Sequence, residues 1–93
     1  MNSIAVANPQ ADYPIEYDKY GRMAYNPMFH TSHGIPFTEE EKEYLCKFYE
    51  YDGAKMMSMA IGKTEKVIQK TVYELREKGL FEFYRKLNKY WIA

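Results

Sequence analysis

The chain has one cysteine, Cys46, and so can close no disulfide of its own. That excludes the small cross-linked secreted class and fits a reducing cytoplasm. It has no net charge, with 13 Lys and Arg against 13 Asp and Glu, which argues against strong nonspecific binding to nucleic acid. No apolar run approaches the roughly 20 residues a bilayer requires. No basic stretch followed by an apolar one opens the sequence, so neither a membrane contact nor a signal peptide is expected. Gly-rich phosphate loops, a nucleophile elbow and paired cysteines are also missing, and with them the common signatures of an enzyme. What the 93 residues do carry is ring area: 17% are aromatic and 46% apolar. That supports one folded domain, near the size where a single core barely suffices.

The charge is unevenly spread. Residues 1–62 hold five Lys or Arg and nine Asp or Glu, or −4, and residues 63–93 hold eight and four, or +4. A chain split in this way can present one basic face to phosphates while staying neutral overall. Solvated helix faces would account for the same split.

Residues 1–12 lack periodicity and read as a flexible terminus. Residues 13–36 contain three prolines, two glycines and four tyrosines, the composition of an extended aromatic arm. Tyr13-Pro14 and Asn26-Pro27 favour extended geometry, Tyr20-Gly21-Arg22-Met23 reads as a turn, and Tyr17, Tyr20, Tyr25 and Phe29 are expected to pack rings on a helical core. Thr38 with Glu41 forms a capping box ahead of a helix over 38–52, which Asp52-Gly53 ends. A second helix over 54–61 places Met56, Met59 and Ala60 on one face, and Gly62 suits the left-handed conformation that follows a helix. Thr64 caps a third helix over 65–78, with Ile68, Thr71, Val72 and Leu75 inward and Lys66, Gln69, Lys70 and Tyr73 outward. Gly79 stops it. The tail, 80–93, is apolar enough to pack, as a short helix over 80–88 or as extended chain. The expected organisation is thus a terminus (1–12), an arm (13–36), an all-α trihelical domain (37–79) and a tail (80–93).

Pro36-Phe37-Thr38-Glu39-Glu40-Glu41 resembles the tryptophan-Thr-x-Glu-Glu opening of Myb/SANT-like domains. Gly62-Lys63-Thr64-Glu65 resembles their Gly-Arg-Thr turn, and Leu75-Arg76-Glu77-Lys78-Gly79 is similar to the Leu-Arg-x-Lys-Gly ending of small Myb-like proteins of bacteria and their phages. The resemblance covers residues 37–79. It implies a helix-turn-helix whose third helix enters the major groove of double-stranded DNA, in a regulator of a phage or mobile element. The implied base-facing residues are Lys66, Gln69, Lys70 and Tyr73, with a phosphate contact from Lys63. Phe37 replaces the family's tryptophan, and Val72 stands where an aromatic is common. Glu65, Glu74 and Glu77 dilute the basic character of the third helix. SANT-type members with acidic third helices bind protein, so an interaction module stays open, for instance a phage-encoded inhibitor of a host defence protein.

Gln69 and Lys70 are side chains that can read adenine and guanine edges, and Lys63, Lys66, Arg85, Lys86 and Lys89 are candidate phosphate contacts. Each also fits an ordinary solvated helix. His30, His33 and Cys46 do not make a standard zinc set, because no second cysteine exists. The carboxylates Asp12, Glu16 and Asp18 in the arm, and Glu39 to Glu43, are better explained by turns and capping than by acid–base chemistry. No catalytic residue, metal or cofactor is expected. One short helix contacts few base pairs, so a homodimer, a tandem partner or a second contact from the arm would be needed for useful affinity.

Overall fold

Thr38 starts the helical part of the molecule. In the computed structural model, which describes residues 13–92, Thr38 is extended. Its hydroxyl accepts from the Glu41 N–H at 3.1 Å, and its own N–H donates to the Glu41 carboxylate at 2.9 Å. This reciprocal box satisfies two donors that the first helical turn leaves open, and Glu39, Glu40 and Glu41 face the positive end of the helix dipole. Helix α1 runs Glu39–Ile61 and is broken at Gly53, whose φ of 83° and ψ of 171° are not helical. Two arms result, 39–52 and 54–61, as the sequence predicts. Gly62, at φ 82°, ends the second arm and donates to the Ser58 carbonyl. Thr64 then caps α2, Glu65–Glu77, by accepting from the Val67 N–H at 3.3 Å.

The end of α2 is a Schellman closure around Gly79 at φ 69°. Leu80 N–H donates to the Leu75 carbonyl at 2.8 Å and Gly79 N–H to that of Arg76 at 3.1 Å, which satisfies two of the orphan carbonyls of the last turn. A short α3, Phe81–Arg85, follows. Among the described residues there is no strand, only an isolated antiparallel bridge between Tyr17 and Met23. The core joins Leu45, Cys46, Met57 and Ile61 of α1 to Ile68, Val72 and Leu75 of α2 and Phe81 and Tyr84 of α3. Burial pushes the Cys46 thiol up to about 12, so it stays protonated.

Met56, Met59 and Ala60 share one face, as expected, and it is the outward one: Met56 and Met59 are 58% and 44% exposed, whereas Met57 is fully buried. Methionines at 56, 57 and 59 permit two helical stripes, and Ile61, four residues after Met57, selects the inner one. The ring packing expected of the arm fails: Tyr17, Tyr20 and Tyr25 remain 52% to 71% exposed, because polar groups rather than rings hold the arm.

Those polar groups are buried. Asn26 donates its side-chain amide to the carbonyls of Tyr13 and Pro14, accepts from the Met28 N–H at 2.9 Å, and donates its backbone N–H to His30 Nδ1 at 2.9 Å. An accepting Nδ1 places the proton of the neutral ring on Nε2, which has no partner among the described residues. Further along, Ser32 N–H donates to the Gly62 carbonyl at 2.9 Å and Ser32 Oγ to that of Ile61 at 2.7 Å. Lys63 Nζ is buried and donates back to the Ser32 and Ile35 carbonyls while lying over the Phe37 ring at 5.0 Å. A Cβ on Gly62 would come within 2.9 Å of Thr31 Oγ1, so arm and turn are in close contact.

The tail is held in the same manner. The short helix expected over 80–88 stops at Arg85; the chain leaves α3 at Lys86, has φ 53° at Asn88 and bends at Lys89 and Tyr90 against α1. The buried Glu43 carboxylate accepts the backbone N–H groups of Lys89, Tyr90 and Trp91 at 2.8–3.0 Å. Lys47 Nζ donates to the Arg85 carbonyl at 2.7 Å and to Asn88 Oδ1. Trp91 folds back edge-on to Tyr44, 5.0 Å between centroids.

Three expected outcomes follow from these contacts. Desolvation raises the proton affinity of Glu43, but the three N–H donors and Lys47 outweigh it and hold the carboxyl below its ordinary 4.5. Its contribution is therefore complete above that value and is lost as pH falls through the lower folded value. Acid titration, and Glu43→Gln at neutral pH, should both release the tail, seen as a red shift of the single tryptophan's emission and a thermal midpoint lower by several degrees. His30 is depressed from 6.5 by burial first and by His33 second, with Glu65 opposing. Stability should then decline as pH drops below 6.5, where the unfolded imidazole takes up a proton that the folded one resists. Thermal melts from mildly basic to mildly acidic pH should show that decline, and His30→Gln should flatten it. Lys63→Met leaves the Ile35 carbonyl without its donor and the Ser32 carbonyl with only the Ile35 N–H, and should cost about 1–3 kcal/mol in urea unfolding.

Candidate nucleic-acid interface

The outer side of α2 carries Lys66, Gln69, Lys70 and Tyr73, all exposed, with Tyr73 at 65%. Their spacing of three, four and seven residues puts them on one helical stripe opposite Ile68, Val72 and Leu75. The sequence places these four correctly on a common face. Lys63 does not join them. Its ammonium points into the molecule and is committed to the arm's carbonyls, because the Gly62 turn carries its side chain under residues 32–35.

The arm runs beside this stripe and contributes to it. Arg22 Nη1 donates to Gln69 Oε1 at 2.9 Å, and the Met23 N–H reaches Glu65 Oε2 at 3.5 Å. Arg22 is itself formed into shape by Asp18, whose Oδ2 accepts from Nε at 2.7 Å and whose Oδ1 accepts the N–H groups of Tyr20 and Arg22. These donors, the backbone N–H of Arg22 foremost, hold the Asp18 carboxyl below its ordinary range. The arm borders the helix without covering it, since Lys66, Gln69 and Lys70 stay exposed.

Arg22 was not identifiable from spacing. It lies 47 residues from Gln69 in sequence, in a turn whose local pattern explains only the turn. Conversely, three cations of the tail region are less available than their number suggests. Arg85 pairs with Glu82 at 2.6 Å, Lys86 lies 4.0 Å from the same carboxylate, and Arg76 pairs with Glu50 at 3.2 Å. The cationic groups on the stripe and its border are Lys66, Lys70 and Arg22, set against Asp18, Glu65 and Glu74.

Two clefts flank the stripe. One, of about 500 Å³, lies between arm and helix and is lined by Arg22, Tyr25, Lys66 and Lys70. The other, of about 360 Å³, lies toward Phe37 and Glu74. His33, Val67 and Lys70 belong to both. A third, of about 410 Å³, is remote from α2 and sits between Tyr44, Ala60 and Trp91 under Glu40 and Glu41.

His30, His33 and Cys46 are not brought together, since Cys46 is in the helical core and both histidines are in the arm. Among the described residues no group of three or more His, Cys, Asp or Glu is placed to hold a metal ion. No helix among them is long and apolar enough to cross a membrane. Residues 1–12, including Asp12, lie outside the described part.

No family model, curated protein or solved structure matches the chain.

Proposed function

We propose that the protein binds double-stranded DNA as a Myb/SANT-like helix-turn-helix, with the second arm of α1, the Gly62 turn and α2 as the reading unit. The observation that carries this reading is the exposed Lys66-Gln69-Lys70-Tyr73 stripe directly after a capped turn, with Arg22 docked at its edge. A helix of this length fits the major groove, where lysine donates to guanine acceptors and an aromatic edge meets a thymine methyl. The Arg22 bond takes one of the two lone pairs of Gln69 Oε1 and orients the amide, which keeps two N–H donors and one acceptor site for a base edge. Lys66, Lys70 and Arg22 supply the phosphate contacts that set register. The resemblance adds the setting: a small regulator of a phage or mobile element, working in the cytoplasm of a bacterial host.

A second reading has its own support. Met56 and Met59 face outward on α1, beside a cleft rimmed by Glu40 and Glu41, which suits a protein partner, either a host protein or a second copy of the chain.

A duplex pool titrated against the protein over a range of salt separates the two. A reader with three cations at the interface should lose affinity with a log–log slope of roughly −3. Lys66→Glu with Lys70→Glu should abolish binding while changing stability by no more than about 0.5 kcal/mol. Absence of binding to any duplex at low salt would transfer the function to the methionine face.

A further inference from the structure

The cleft between the arm and α2 has a feature that groove reading does not use. Tyr25 and His33 pack against one another on its wall, 4.2 Å between centroids and tilted by 32° between planes. Tyr25 also stacks on the buried His30 at 6.1 Å, yet it is 52% exposed. A ring braced by two imidazoles but left half in water is a platform rather than core. Arg22, Lys66 and Lys70 line the same cleft, so cations stand beside the platform.

The volume, about 500 Å³, is far more than one phosphate fills and lies in the range of small-ligand sites. A paired base shows a protein its edges only. An unpaired base shows its face, and faces stack on aromatic side chains while the adjoining phosphate meets cations. The platform is also preorganised. The residue after Tyr25 is fixed by the Asn26 N–H on His30 Nδ1 at 2.9 Å and by the Asn26 amide on the Tyr13 and Pro14 carbonyls. Little side-chain entropy is then left to lose on binding. Asp18 is the one carboxylate on the lining, and its charge is taken up by Arg22 at 2.7 Å.

We propose that this cleft receives one unpaired nucleotide of a DNA strand, its base against the Tyr25–His33 pair and its phosphate beside Lys66, Lys70 and Arg22. The protein then prefers a duplex bearing a single-stranded end or an extruded base over one that is fully paired. This inference rests on the nucleic-acid reading of the same face and adds to it the structure of the target.

Fluorescence anisotropy of the full chain with three probes tests it: a blunt hairpin duplex, the same hairpin with a short thymidine tail, and a single-stranded thymidine oligonucleotide. The tail should tighten binding about tenfold, within the range of a single base–aromatic stack. Tyr25→Leu should remove that gain and leave blunt-hairpin affinity within about twofold, since only the stack is lost. Tyr25→Phe, which keeps the ring, should retain the gain, and its thermal midpoint together with that of Tyr25→Leu confirms folding. Equal affinity for tailed and blunt hairpins, or a gain that survives Tyr25→Leu, overturns the proposal. If the blunt hairpin does not bind, the groove reading fails and the thymidine oligonucleotide decides the cleft. Binding that Tyr25→Leu abolishes then supports the cleft, and no binding overturns it.

Discussion

The buried ammonium of Lys63 is the tie on which the candidate surface depends. It follows directly on the Gly62 turn and donates to two carbonyls of the arm, those of Ser32 and Ile35, while Ser32 reaches back to the carbonyls of Ile61 and Gly62. The Ile35 carbonyl has no other donor among the described residues, and the Ser32 carbonyl has only the Ile35 N–H besides, so the ammonium satisfies acceptors that no helix or sheet pairs. The charge is tolerable inside because the acceptors surround it and the Phe37 ring lies over it. With residues 32–35 pinned to the turn, the preceding loop is carried alongside α2, and only then do Arg22, Tyr25 and His33 stand next to Lys66 and Lys70.

The same solution recurs at the other end. Glu43 offers a carboxylate to three successive N–H groups of the tail, and Lys47, one turn along α1, offers an ammonium to the carbonyl and amide oxygens that precede them. Anion and cation are thus matched to the donors and acceptors of residues 85–91. Asn26 does the equivalent for the start of the arm. Non-helical backbone in this protein is satisfied largely by four buried polar side chains, which is how a short chain orders long connections without a sheet.

What was legible in the sequence was local. The capping box at Thr38 and Glu41, the helix break at Gly53, the left-handed Gly62, the Thr64 cap and the Gly79 stop each depend on residues within one or two turns, and all appear where the pattern puts them. The outward stripe of α2 is legible for the same reason, since its amphipathic period is unbroken. The burial of Lys63 and Glu43 was not legible, because what buries them lies up to 48 residues away in sequence. Lys63 in a Gly-Lys-Thr turn looks the same whether its ammonium turns out to a phosphate or in to a carbonyl. The tyrosines misled for a related reason. Ring content says how much apolar area exists, whereas the arm's path, set by Asn26, His30 and Ser32, decides which rings reach the core.

This economy shapes what the surface can do. Lys63 spends its charge inside and Arg76 is paired with Glu50, which lies outside residues 63–93, so the excess of +4 counted over those residues overstates the field that DNA would meet. Lys66 and Lys70, with Arg22 already paired to Asp18, give weak attraction, too little to hold duplex by phosphates alone. A binder built this way has to gain its affinity from contacts that charge screening does not erase. The Arg22–Gln69 bond supplies one, by fixing a guanidinium and an amide in a single orientation against the bases. The braced Tyr25–His33 pair supplies the other, because stacking of a base on a ring is insensitive to salt compared with a phosphate contact. Both lie on the arm side of α2, and both exist only while the clasp at Lys63 is closed. On the proposed reading, recognition is coupled to the folding of residues 13–36, and loosening the clasp should weaken binding although the Lys63 ammonium points inward.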